Sequence, residues 1–281
     1  MNNYSEINKV FTRNSLKKLI DFGTSKSYEY CVEQFVNSGS PIKNIDIIKT
    51  LYSVLDKNYR NEYFYKNTLF NKLLLGKHSL NTSIAISELP IHRSKADFIL
   101  INGNSEVFEI KTELDKIDRL FLQIEDYYKV FPLVSVLTSD TNYYKIYKLF
   151  KESNIGIKVL TSRNTISIKK TPIPNYEKLD PTSMFKVLRK TEFEYIITKK
   201  FGYLPQVNQF DYYKECKKIF STIPTKELQN EVNCVLKKRV LINNELFNNI
   251  IPMELKSLAY FSSLSNNDLL KMDNFLQSEW R

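Results

Sequence analysis

A chain of 281 residues with 42% hydrophobic and 13% aromatic content can bury a sizeable core, and no apolar run approaches the roughly 20 residues of a membrane span. The formal charge of +10 admits an anionic partner, but it is spread as +3 over residues 1–60, +4 over 61–170 and +3 over 171–281, so no segment stands out as a basic arm. Cys31, Cys216 and Cys234 are odd in number and far apart, and His78 and His92 are the only histidines, which argues against a disulfide framework, a structural zinc site and a Ser-His-Asp triad.

The opening stretch, MNNYSEINKVFTRNSLKKLIDFG, lacks the apolar core and small-residue cleavage site of a signal peptide, so a reducing cytoplasm is the expected compartment. Val10, Leu16, Leu19 and Ile20 recur at helical spacing, a break follows at NSGSPIKN, and IDIIKTLYSVLDKNY reads as another helix. The helix predicted for NEYFYKNTLFNKLLLG turns Phe64, Leu69, Leu73 and Leu74 towards a core and ends at Gly76.

The texture then changes to short strands: IAISELPI, ADFILI, EVFEIK, LVSVLTS, IGIKVL and TISIKK. Two amphipathic helices, DKIDRLFLQIEDYYKVF and NYYKIYKLFKES, interrupt them. The expected order is helix, three strands, helix, strand, helix, two strands, an α/β pattern with an antiparallel meander first and helical crossovers later. Asn102-Gly103 between two apolar runs signals a hairpin, because both residues tolerate φ > 0. Beyond residue 170 the three prolines of TPIPNYEKLDPTS suggest a linker, and the remainder reads as helices. These shifts divide the chain into a helical 1–60, an α/β core at 61–170 and a helical 171–281.

Three ionisable side chains sit within the hairpin. Along an extended strand Glu109, Lys111 and Glu113 share one face while Phe108 and Ile110 take the other, and closure at Asn102-Gly103 brings Asp97 near Glu109 and Lys111. Two carboxylates held close repel unless a cation accompanies them. Lys111 supplies one cation, and a divalent metal would supply another. Asp and Glu oxygens suit Mg²⁺, whose bound water beside a lysine can attack a phosphodiester without histidine.

Asp97, followed after the hairpin by Glu109-Ile110-Lys111, resembles the D…(D/E)xK signature of the PD-(D/E)xK nuclease superfamily. Gln123 and Tyr127, four apart on the next helix, are similar to the QxxxY element of RecB-like members. The stretch from Glu62 to Ser139 also resembles a family of largely uncharacterised bacterial and phage proteins. Ala96 stands where the signature names proline. The resemblance implies a restriction-endonuclease-like αβββαβ core with helical extensions at both ends, and a Mg²⁺- or Mn²⁺-dependent nuclease acting on nucleic acid, DNA ahead of RNA. It further implies that Asp97 and Glu109 bind metal with the Ile110 carbonyl as a third ligand, that Lys111 orients the attacking water, and that Gln123 and Tyr127 brace the site. Glu62 and Glu88 are candidate further acids, and the helical ends could hold a protein partner or a second copy.

Each residue has a plainer reading. Asp97, Glu109 and Lys111 could form a cross-strand salt-bridge ladder, worth under about 1 kcal/mol. Glu62 could serve the helix dipole, Glu88 a solvated strand position, and Gln123 and Tyr127 a polar helix edge beside a core aromatic. His92 and Arg93 read as surface residues, and KKRV at Lys237–Val240 as a solvated charge run. Tyr143, Tyr144, Tyr147 and Phe150, at helical spacing, read as core in preference to a base-stacking platform. A nuclease-fold adaptor without turnover is the rival function, although it would be expected to lose one of the three signature residues.

Overall fold

Side chains that accept from free amides set many of the helix starts, among them Thr12, Ser25, Asn61, Ser139 and Asn208. The structure, a computed structural model, describes residues 4–36, 40–77, 80–239 and 242–280. His78, residues 37–39 of the expected N-terminal break and Val240 of the Lys237–Val240 run lie outside the described residues.

In chain order the first elements are α1 (Ile7–Val10), α2 (Arg13–Phe22), α3 (Lys26–Phe35), β1 (Ile42–Lys43), α4 (Asn44–Asn58) and α5 (Glu62–Leu69). Strands follow as β2 (Ile84–Ile86), β3 (Leu89–Ile91), β4 (Ser94–Ala96), β5 (Phe98–Asn102) and β6 (Asn104–Lys111). Next come α6 (Leu120–Tyr128), β7 (Leu133–Ser139), α7 (Asp140–Phe150), β8 (Gly156–Leu160) and β9 (Ile166–Lys170). The last are α8 (Pro181–Lys186), α9 (Lys190–Phe201), α10 (Gln209–Phe220), α11 (Thr225–Lys237), α12 (Asn244–Ile250), α13 (Lys256–Phe261), α14 (Asn266–Gln277) and β10 (Glu279–Trp280).

The chain gathers into two compact units: Met1–Asn81 with Thr112–Leu114 and Val240–Arg281, and Thr82–Lys111 with Asp115–Arg239. This division differs from boundaries after residues 60 and 170, and particular contacts explain it. In the first unit the two ends of the chain are tied together. β1 pairs antiparallel with β10, Ile42 opposite Trp280. Asn44 Nδ2 donates to the carbonyls of Phe275 and Ser278 at 3.1 Å, while its Oδ1 accepts from buried Tyr28 Oη at 2.6 Å. α5 is held similarly to the C-terminal segment: Asn67 donates to the Met253 carbonyl (2.9 Å) and accepts from the Ser257 amide (3.0 Å). Phe64, Leu69 and Leu74 are buried as their spacing predicts, although the helix loosens to a π-helical turn at Phe70–Leu75 before Gly76.

The second unit is a mixed six-stranded sheet in the order β2-β5-β6-β7-β8-β9. β2, β5 and β6 run antiparallel; β6, β7 and β8 run parallel, which requires the crossovers that α6 and α7 supply; β9 returns antiparallel. The hairpin between β5 and β6 closes at Asn102↔Asn104, where Gly103 alone takes positive φ, +68°. Two of the expected strands break. IAISELPI divides into β2 and β3 at Glu88, whose φ of +60° turns the chain, and the next run divides into β4 and β5 at Asp97. β3 and β4 then pair only with each other, as a separate ribbon.

The proline-rich stretch is part of this unit. Amides of Ile173, Asn175 and Asp180 donate to the carbonyls of Asn154, Pro132 and Lys129 at 2.8–2.9 Å. Its end is a helix start: Asp180 caps α8, accepting from Thr182 and Ser183 amides, with Pro181 in the first turn where its missing N–H costs nothing. Beyond it Phe185 packs against Phe193, Tyr213 and Phe220, and Gln229 of α11 donates to Ser105 of β6 at 2.9 Å.

This docking yields a test. A Cβ at Gly156 would collide with Ser135 Oγ and meet Pro172 Cδ at 2.8 Å. Gly156→Ala should therefore cost about 1–3 kcal/mol in denaturant unfolding. Gly103→Ala meets open space and bears only the left-handed backbone penalty, about 1–2 kcal/mol. An unfolding midpoint unchanged by Gly156→Ala would refute the docking.

Candidate functional site

The centre of the site is a buried carboxylate. Glu109 is 1% exposed near the end of β6, between β5 and β7. Burying a lone carboxylate costs several kcal/mol, so its oxygens need partners. Oε1 accepts from Lys111 Nζ at 2.7 Å and Oε2 from Tyr127 Oη at 2.6 Å. Strand alternation puts Lys111 on the same face two residues on, as the sequence predicts, and α6 delivers Tyr127. The strand ends at Lys111, so Glu113 is not part of this face; it is exposed. Lys111 is itself buried, and its carbonyl accepts from Thr138 Oγ1 at 2.8 Å, which fixes the strand end.

Asp97 sits at the bend between β4 and β5, one position beyond the Phe98↔Phe108 pair and so beside Glu109. Its Oδ2 accepts from the Ile110 amide at 2.8 Å. The contact that the structure gives to Ile110 is thus through its N–H. Glu88, at the left-handed turn, pairs with Lys95 at 2.5 Å, and carboxylate oxygens of Glu88 and Asp97 lie within 4.8 Å of each other. The structure therefore brings Glu88, Asp97, Glu109, Lys111 and Tyr127 into one region. Glu62 belongs to the first unit, where it opens α5 and pairs with Lys66 at 2.9 Å.

Tyr127 is the hinge of the arrangement. Its hydroxyl hydrogen faces two acceptors, Glu109 Oε2 and, at 2.9 Å, the carbonyl of Lys95. Burial pushes its ionisation far above the ordinary value of 10, and the charges of Glu109 and Asp97 push it further, while Gln123 works in the opposite direction. Gln123 stands one turn before it, and Gln123 Oε1 is buried without a hydrogen-bond partner.

Asp126 was not singled out from the sequence. It is buried on α6 and anchors the β3–β4 ribbon, accepting from the Arg93 amide at 3.2 Å and Ser94 Oγ at 2.9 Å, with His92 Nδ1 at 3.2 Å and Lys129 Nζ at 2.8 Å. Burial alone would raise its pKa, but the Lys129, Ser94 and Arg93 hydrogen bonds hold it below 3.8. The local sequence offers no signal for this anchoring role, since its partners on the ribbon lie some 30 residues away. Lys95, whose carbonyl meets Tyr127 32 residues on, carries no local signal for the same reason.

A divalent cation suits these donors. Glu88 and Asp97 bring carboxylate oxygens together beside Lys95, and these are hard ligands of the type that Mg²⁺ and Mn²⁺ prefer, while the Glu109 oxygens next to them are held by Lys111 and Tyr127. The orphaned Gln123 oxygen adds a buried acceptor beside Tyr127.

Removing the Tyr127 hydroxyl should expose the role of this hinge. Tyr127→Phe leaves Glu109 Oε2 and the Lys95 carbonyl short of a donor and should cost about 1–3 kcal/mol. The sign with pH is fixed. A folded pKa raised above the unfolded 10 gives stability that is full below pH 10 and lost as pH rises beyond it, because only the unfolded chain then ionises. Thermal melts between pH 8 and 11 should show a shallower loss in Tyr127→Phe than in wild type; parallel curves would contradict the assignment.

No curated protein and no solved structure matches the chain. Residues 55–261, well over half of its length, match the family described as bacteriophage P4 protein cII. The chain belongs to that family.

Proposed function

We propose that this protein is a metal-dependent nuclease of the PD-(D/E)xK type that hydrolyses phosphodiester bonds in cytoplasmic nucleic acid, DNA ahead of RNA. The observation that carries the reading is the buried Glu109–Lys111 pair, locked by Tyr127 and set beside Asp97. A surface ladder would leave these groups exposed and gain little; here Lys111 is largely buried and held by Glu109, the condition under which a charge acts strongly on a reacting group. The mixed sheet with β6 at its centre and α6 crossing over it supports a restriction-endonuclease-like core as the finer description. Among the described residues no helix is long and apolar enough to cross a membrane.

Asp97 and Glu88 would hold Mg²⁺ or Mn²⁺, with Glu109 and the Ile110 carbonyl as further oxygens. Bound there, the ion would supply Lewis-acid stabilisation and a water of lowered pKa. The chain's own groups do the rest. Lys111 Nζ, oriented by Glu109 Oε1, presents positive charge to the phosphate oxygens and steadies the attacking water. Tyr127 keeps the Glu109 carboxylate in one orientation, and Gln123 stands one turn before it on α6. The helical segments at either end are suited to a protein partner or a second copy, and the phage family suits a role in phage or mobile-element biology.

One observation favours a second reading, a binding or adaptor protein without turnover: both Glu109 oxygens are already satisfied within the chain, so the fold does not need an ion to offset them. The two readings differ in Lys111. For a nuclease, Lys111→Ala should lower cleavage of labelled DNA in Mg²⁺ by at least about 10²-fold per folded molecule while substrate affinity stays within a few-fold. An adaptor would show no cleavage to lose. Wild-type turnover retained by Lys111→Ala would remove this residue from the mechanism.

A further inference from the structure

Helix α7 does not present the face that its sequence suggests. Of its apolar residues only Ile146 and Phe150, one turn apart, are buried. Tyr143 and Tyr147 are half-buried with ring centroids 5.7 Å apart, Tyr144 is 63% exposed, and Leu149 is 59% exposed. Of the four aromatics expected in the core, Phe150 is there, Tyr143 and Tyr147 lie at its edge and Tyr144 lies at the surface.

Cations are interleaved with these rings. Lys148 Nζ sits 4.6 Å from the Tyr144 centroid, and Lys169, from the edge strand β9, sits 5.7 Å from that of Tyr143. Lys145 is exposed on the same helix, Asp140 stands at its start, and Lys151 just beyond its end pairs with Glu152 at 3.8 Å. The patch is positive, flat-ringed and open. Its place relative to the candidate site is fixed by the fold: Thr138, hydrogen-bonded to the Lys111 carbonyl, is followed at once by Ser139, the cap of α7. Tyr143 is thus at most roughly 18 Å of chain from Thr138, and Tyr147 is about 6 Å further along the helix axis.

We propose that this face of α7, with Lys169 of β9, is a stacking platform for single-stranded nucleic acid leading into the site. The inference deepens the nuclease reading and rests on it for the direction of the strand. The exposed ring of Tyr144, flanked by the half-buried Tyr143 and Tyr147, can stack on an unpaired base, and the lysines beside these rings meet phosphates. A duplex, whose bases are stacked and paired, offers only its backbone to such a surface. An unpaired strand is the occupant that uses the exposed ring and the lysines together, a base on the one and phosphates on the others.

The test is fluorescence anisotropy with a labelled 20-nucleotide oligothymidylate and a duplex of equal length, in EDTA so that no turnover occurs. Tyr144 is largely exposed, so Tyr144→Ala keeps the fold, verified by circular dichroism. It should weaken single-strand binding roughly 5- to 100-fold while duplex binding stays within two-fold, and Tyr144→Phe should restore wild-type affinity. Lys148→Ala should reduce the salt dependence of both. Equal affinity of Tyr144→Ala and wild type for the single strand, or equal losses on single strand and duplex, would overturn the platform. A small aryl phosphodiester, too short to span from the site to α7, separates the two claims. Its Mn²⁺-dependent hydrolysis by wild type and Tyr144→Ala at equal rates leaves the nuclease reading in place whatever the anisotropy shows, and its absence in wild type counts against that reading alone.

Discussion

Glu109 lies in an inner strand of a six-stranded sheet, where it is buried and where a carboxylate is tolerated only with partners on both oxygens. That requirement explains much of the surrounding structure. Lys111 must share its strand face, so β6 stays regular to its last residue. Tyr127 must reach it from the crossover helix, so α6 lies against the strand end. Because the same hydroxyl also faces the Lys95 carbonyl, the β3–β4 ribbon is drawn to the site, and Asp126 one position earlier on α6 pins the ribbon's tip. The buried pair and its hydroxyl thus organise three separate elements.

The ribbon in turn accounts for the bend at Asp97 and the left-handed turn at Glu88. A straight β2 running through Glu88 would carry its carboxylate along the sheet. With φ at +60° the chain leaves the sheet there, and Glu88 comes within 4.8 Å of Asp97. A non-glycine residue held in that conformation costs about 1–3 kcal/mol, and such costs gather at functional positions. Lys95 offsets part of the repulsion between the two acids, and a cation would offset the remainder.

How much of this was legible in the sequence follows from the range of each interaction. Period-two alternation and the Asn-Gly turn identified β5, β6 and the shared face of Glu109 and Lys111, because those signals are local. The four-residue spacing of Gln123 and Tyr127 was readable for the same reason, and Tyr127 does reach Glu109. The break at Glu88 was not: no residue type there demands positive φ, and the turn is imposed by packing. Asp126 and Lys95 matter through partners that spacing cannot reveal. The division of the chain escaped too, since Asn44 and the Ser278 carbonyl are 234 residues apart and nothing near either one announces the other. On α7 the periodicity correctly gave a helix but could not tell which of its aromatic stripes would be covered.

The most direct test of the account is calorimetric titration of Mn²⁺ into wild type and into an Asp97→Asn, Glu88→Gln double variant, which leaves the Glu109–Lys111–Tyr127 cluster untouched. The account predicts saturable binding by wild type that the variant loses, with both proteins folded. Equal binding by the two, or none by wild type, would contradict it.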